Sequence, residues 1–142
     1  MVKIEDLKRI RILKDVPDYL LEMIAKDAQL SIFGIDTKLI EVKQPFDTLY
    51  MLIMGQVAVK KSLTPEIDVI LDYIQSGSSF GTSVLIKGST ASYTAVCQEP
   101  CEVITLPGKR IRELFKENSE LAFHMMLGLA KQYKRRMDKR AQ

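Results

Sequence analysis

The chain is poor in the residues that build chemical centres. It has one histidine, His124, and two cysteines, Cys97 and Cys101. A Cys-x-x-x-Cys pair with one distant histidine does not make a zinc set. No nucleophile–base pair is legible either, so the chain is not expected to be an enzyme. No apolar run approaches the roughly 18 residues of a membrane helix. The charged start, MVKIEDLKRIRILKD, lacks a signal-peptide core, so a cytoplasmic protein with no membrane partner is expected. The net charge of +3 is too small to imply a nucleic-acid partner by itself. Internal repeats, low-complexity tracts and a clear linker are missing as well, and 142 residues suit one domain, residues 1–142.

What is present is an ordered change of periodicity. An early short helix is expected over Glu5–Leu13. From Val16, the run VPDYLLEMIAKDAQL places Leu20, Leu21, Ile24, Ala25 and Ala28 at helical spacing, with Pro17 suited to a first turn. Beyond Ile32, short apolar runs are broken by Gly, Pro, Asp and Ser about every ten residues. Strands are expected at 38–42, 48–53, 56–61, 67–74, 92–97 and 102–106, a pattern of all-β barrels and jelly rolls. Tyr50–Val59 reads as a hairpin around a tight Met54-Gly55 turn. Helical spacing returns over Lys109–Lys116, and a second helix is capped by Asn118 or Ser119. That helix carries Leu121, Met125, Leu129, Tyr133 and Met137 at four-residue spacing, a stripe suited to packing on the roll and to a partner. The spacing argues against a long coiled coil. Its end, KQYKRRMDKR, is basic and reads as a solvated helix terminus, with phosphate contact as the alternative. The expected fold class is α+β, mainly β: a jelly-roll-like antiparallel β-roll (32–107) flanked by N-terminal helices (1–31) and two C-terminal helices (109–140).

The most informative stretch is Gly77–Val96, GSSFGTSVLIKGSTASYTAV. A turn around Phe80-Gly81 opens a one-turn helix, and Gly81 permits close backbone approach. A second turn, Lys87–Thr90, leads into a strand. Free N–H groups at Gly81, Thr82 and Ser83 would suit an anion. This segment resembles the phosphate-binding cassette of the cyclic nucleotide-binding domain family. With the Tyr50–Val59 and Thr94–Leu106 strand pairs, the resemblance covers nearly the whole chain.

The resemblance implies a candidate site of Phe80, Gly81, Thr82, Ser83, Thr90, Ala91 and Ser92, with a cyclic nucleotide or another small anionic ligand. It also shows departures. Thr82 stands where the family carries a ribose-binding glutamate, and Ala91 where it carries a phosphate-binding arginine. Lys87, the nearest cation, reads as a solvated charge. Asp36 and Lys43 stand at two usual glycines; Asp tolerates the left-handed conformation, whereas Lys43 is hard to place. The thiols of Cys97 and Cys101 are read as small packed groups, a local disulfide being the alternative. The implied function is a stand-alone regulatory or sensor module that does not bind cyclic AMP or cyclic GMP tightly. The second reading is a docking or dimerisation module with a vestigial pocket, working through the C-terminal helix. In the family that helix often pairs with a second subunit or docks on an effector protein. The family's regulators read DNA with a separate module for which this chain has no room, so DNA is not expected as a partner of this chain alone.

Overall fold

The computed structural model describes residues 2–87 and 89–141. The chain begins with α1 (Ile4–Leu7), a 3-10 turn at Arg11–Leu13 and α2 (Asp18–Asp27), so the expected early helix is two shorter pieces. Pro17 is the N-cap of α2 rather than its first turn. Leu20, Leu21, Ile24 and Ala25 are buried, as their spacing predicts. The roll starts earlier than expected, with β1 (Gln29–Phe33). Its outward residues Leu30 and Ile32 are exposed and apolar, which hid the strand's alternation.

Next come β2 (Lys38–Ile40), β3 (Pro45–Phe46), β4 (Thr48–Met54), β5 (Val57–Thr64), β6 (Ile67–Ile74) and β7 (Ser79–Phe80). A 3-10 turn at Thr82–Leu85 precedes β8 (Ser89–Thr90), β9 (Thr94–Cys97), β10 (Cys101–Pro107), α3 (Gly108–Glu117) and α4 (Ser119–Ala141). One antiparallel sheet has the order β1-β10-β4-β7 and the other β2-β9-β5-β6, while β3 and β8 form a short ribbon.

The expected hairpin over Tyr50–Val59 is not formed. β4 pairs with β10 and β7, whereas β5 pairs with β6 and β9. The Gly55-Gln56 link carries the chain from one sheet to the other. Gly55 has φ +108, and a Cβ there would lie 2.7 Å from the Sγ of Cys101 and from the carbonyl of Pro100. The crossing therefore depends on a residue without a side chain.

Alternation along β4 divides the core in two. Leu49, Met51 and Ile53 face the helices and join Leu20, Ile24, Leu114 and Leu121. Leu52 faces the roll interior with Val57, Phe80, Ala95 and Val103, and Tyr50 packs against them. Cys97 and Cys101 are buried free thiols in this second cluster. Burial, with a hydrogen bond to Cys101, pushes the Cys97 thiol up to about 12. Asp36 and Lys43 both adopt φ +70, the conformation that a glycine would supply.

Candidate functional site

β7 and the turn after it form the start of the cassette. Gly81 has φ +75, and a Cβ there would sit 2.8 Å from the carbonyl of Thr48. The one-turn helix expected after Phe80-Gly81 is the 3-10 turn Thr82–Leu85. The chain returns through β8, whose pairing with β3 sets Thr90 opposite Pro45. The Lys43 N–H donates to the Ala91 carbonyl at 2.8 Å, and the Ala91 N–H to the Gln44 carbonyl at 2.9 Å. These bonds pin the segment that leads into β9.

The candidate residues divide by face. Phe80, Gly81 and Ala91 are buried, Thr82 is half-buried, and Ser83, Thr90 and Ser92 are exposed, as is Lys87. Gly88 lies outside the described residues. From Ala91 the chain alternates: Ala91, Tyr93 and Ala95 pack in the roll interior, while Ser92 is exposed. The interior wall of the cassette is therefore aromatic rather than hydroxylic. The rings of Tyr50 and Phe80 stack at 5.0 Å with an 11° tilt. The Tyr50 hydroxyl donates to the Leu39 carbonyl at 2.9 Å.

Tyr93 completes that wall. Its Oη accepts the Gly81 N–H at 3.3 Å. A donor expected to face an anion thus already has an acceptor from its own chain. Burial raises the phenol pKa values of both Tyr50 and Tyr93 above the usual 10.0. For Tyr93 the Gly81 bond and the nearby Arg136 guanidinium oppose that rise.

Two further elements hold the cassette from behind. Arg112 of α3 donates to the Val84 carbonyl at 2.6 Å and clasps both oxygens of Asp47 at 2.8 and 3.2 Å. The other element is α4. Gln132 is buried, and its Oε1 accepts from the Ser79 N–H and hydroxyl, each at 3.1 Å. Arg136 Nη2 donates to the Ser79 carbonyl at 3.3 Å. Tyr93, Asp47, Arg112 and Gln132 were not singled out from sequence, and Arg136 was read only as one cation of the basic helix end. Counting by twos from Ala91 reaches Tyr93; the others are set by tertiary contacts.

The stripe on α4 needs revision. A step of four residues turns about 40° past a full helical turn, so strict four-residue spacing drifts around the helix. Leu121 and Met125 are fully buried in the chain's own core, Leu129 packs against it, and Tyr133 and Met137 are exposed. The face that stays on the protein runs Leu121, Met125, Gly128, Gln132, Arg136. A Cβ on Gly128 would lie 2.3 Å from the Ile12 carbonyl. The opposite, exposed face carries Phe123, Met126, Ala130, Tyr133 and Met137. The cap is Asn118, whose Oδ1 accepts the Leu121 N–H at 3.1 Å.

A β-roll of two antiparallel sheets, with a glycine-turned cassette and a long C-terminal helix, defines one class of domain fold. The family described as the cyclic nucleotide-binding domain matches residues 33–118, and this chain belongs to it. Among curated proteins it is 29% identical over 115 residues to the cAMP-activated global transcriptional regulator CRP of Pasteurella multocida, covering 80% of this chain and 55% of that protein. It is 27% identical over 88 residues to the Global nitrogen regulator of Nostoc, covering 61% of this chain and 40% of that protein. The chain thus spans about half the length, or less, of these relatives. A candidate cyclic nucleotide-binding protein of known structure from Geobacter metallireducens GS-15 is 25% identical, with a TM-score of 0.84 over 96% of this chain and 99% of that one. Among the described residues no helix is long and apolar enough to cross a membrane.

Proposed function

We propose that this chain is a regulatory module that keeps the cyclic nucleotide-binding fold without binding cyclic AMP or cyclic GMP tightly. The observation that carries this is the interior wall of the cassette. Ala91 is buried where the family's arginine would enter, and the Gly81 N–H is already bonded to Tyr93. A cyclic phosphate brings one negative charge and needs charge-assisted donors. Each such bond contributes about 1.5–3 kcal/mol, so losing the arginine and the ribose carboxylate costs about 3–6 kcal/mol. That corresponds to roughly 10²- to 10⁴-fold in affinity.

The test is calorimetric titration with cyclic AMP and cyclic GMP. The natural chain is expected to stay silent. A Thr82→Glu, Ala91→Arg, Tyr93→Ala variant, which restores both charges and clears the ring, is expected to bind. Binding by the natural chain with a Kd below about 10 µM, near −7 kcal/mol, sinks the reading.

A second reading is pairing with another copy through α4, favoured by the exposed apolar face opposite its core-facing side. The curated relatives named above are a cAMP-activated transcriptional regulator and a nitrogen regulator, and that likeness supports a regulatory role for this chain. No DNA contact is assigned to these residues.

A further inference from the structure

Behind the cassette, on the far side of Ser79 from Phe80-Gly81, lies a groove of about 400 Å³. Arg11 from the first 3-10 turn and Arg135, Arg136, Lys139 and Arg140 from α4 line it. β6 contributes Leu71 and Tyr73 to the lining. A single carboxylate, Asp72, lines it beside these five cations, and its Oδ1 accepts the Tyr73 N–H at 2.8 Å. The neighbouring cations of α4 differ: Lys131 is paired with Asp15, and Lys134 with Asp138. Among the described residues none of the five groove cations has a carboxylate partner. Two of them are nevertheless held in place. Arg11 Nη1 donates to the Ser78 hydroxyl at 2.9 Å, and Arg136 Nη2 to the Ser79 carbonyl at 3.3 Å. Each guanidinium keeps several donors free for a second acceptor.

We propose that this groove is an anion site for a small ligand carrying contiguous phosphates, of the nucleoside polyphosphate class. Converging unpaired cations repel one another, and a polyanion relieves that repulsion. Guanidinium groups match phosphate oxygens two at a time, so a run of phosphates engages several arginines where a single one does not. The volume lies within the range of small-ligand sites, and Leu71 with Tyr73 offers an apolar, aromatic surface to a ring. The groove lies outside the cassette, and the proposal does not depend on whether the cassette binds a cyclic nucleotide. Ligation there draws on Arg11 and Arg136, the side chains that hold Ser78 and Ser79, and so reaches the residues just before Phe80-Gly81.

The test is titration of the full chain with ATP, inorganic tripolyphosphate and cyclic AMP, beside a single-stranded oligonucleotide followed by anisotropy. Two triple variants are compared. Arg135→Gln, Lys139→Gln, Arg140→Gln empties the outer groove, and Lys26→Gln, Lys131→Gln, Lys134→Gln removes the same charge elsewhere. ATP and tripolyphosphate are expected to bind in the micromolar range, with cyclic AMP at least ~100-fold weaker. The groove variant is expected to lose at least ~10-fold in affinity and the control less than ~3-fold. Three results overturn the proposal: no triphosphate binding at about 1 mM, equal losses in both variants, or an oligonucleotide that binds the natural chain more tightly than ATP does.

Discussion

Ala91 and Tyr93 are two residues apart, and the roll interior meets them together. Ala91 lies in the buried cluster that contains Phe80, and the Tyr93 phenol packs against that cluster. The Tyr93 hydroxyl then serves as the acceptor for Gly81. Tyr93→Phe keeps the ring and removes that acceptor, so it is expected to cost about 1 kcal/mol in urea denaturation at pH 7. The natural protein has an alkaline limit with a definite sign. The Tyr50 and Tyr93 phenols are raised above 10.0 in the folded state, so their neutral forms favour folding at lower pH. That contribution is lost as pH rises past 10 toward the raised values. Tyr93→Phe is expected to show a smaller fall in stability between pH 8 and pH 11 than the natural chain; an equal fall removes Tyr93 from this account.

The same scale holds the clearest match between sequence and structure. The family pattern put glycines at Asp36 and Lys43, and both residues take φ +70. Lys43 has no short polar side chain to ease that conformation, which costs an L-residue roughly 1–2 kcal/mol. Lys43→Gly relieves the strain and loses roughly 0.5–1 kcal/mol to the looser unfolded chain. A net gain of up to about 1.5 kcal/mol is expected, read as a higher denaturation midpoint. A loss instead would mean that the Lys43 side chain contributes more than its backbone strain costs.

Elements were legible where one periodicity persisted and illegible where tertiary contacts chose between readings. The helical spacing of α2 needed nothing beyond the chain, and the apolar run expected as a strand at 67–74 is β6. The Tyr50–Val59 segment looks like a hairpin locally, because nothing near Gly55 says that β4 and β5 join different sheets. That choice is made by Cys101 and Pro100, some 45 residues away, against which only glycine fits. The pin between α3 and the cassette is equally non-local. Asp47 accepts the Lys109 N–H at 3.1 Å and grips Arg112, which also holds the Val84 carbonyl. The Arg112 hydrogen bond, followed by its charge, holds the Asp47 carboxyl below the usual 3.8 against the opposing effect of burial. A lowered folded-state value means that the stabilisation is present above about pH 4 and lost as pH falls through the folded value. Asp47 is partly exposed, so solvent screening limits the pair to about 1 kcal/mol. Asp47→Asn is expected to lower stability by that amount at pH 7 and to match the natural chain near pH 2. A gap that persists at pH 2 would mean that the pair's charge is not the cause.

At the scale of the whole molecule, α4 faces three ways: toward its own core, toward the groove and toward solvent. The four-residue stripe read from sequence merged the first and third, since half of it is buried in the core and half is exposed. Resolved by burial, the free face runs Phe123, Met126, Ala130, Tyr133, Met137, alternating steps of three and four. That is the spacing of a two-helix seam. Over 23 residues the helix is about 35 Å long, enough for a seam of several turns. A parallel pair would also bring two sets of basic tails together, Arg135, Arg136, Lys139 and Arg140 from each copy. Apolar pairing and like-charge repulsion then act in opposition, and only the second is screened by salt. Dimerisation measured by sedimentation equilibrium is therefore expected to strengthen between 50 mM and 500 mM salt, the reverse of an ion-pair interface. Met126→Lys with Tyr133→Lys is expected to leave a folded monomer at both salt concentrations, since both side chains are exposed in the isolated chain. A natural chain that stays monomeric at high salt would leave the seam without a second copy, and a dimer that weakens with salt would place the interface elsewhere.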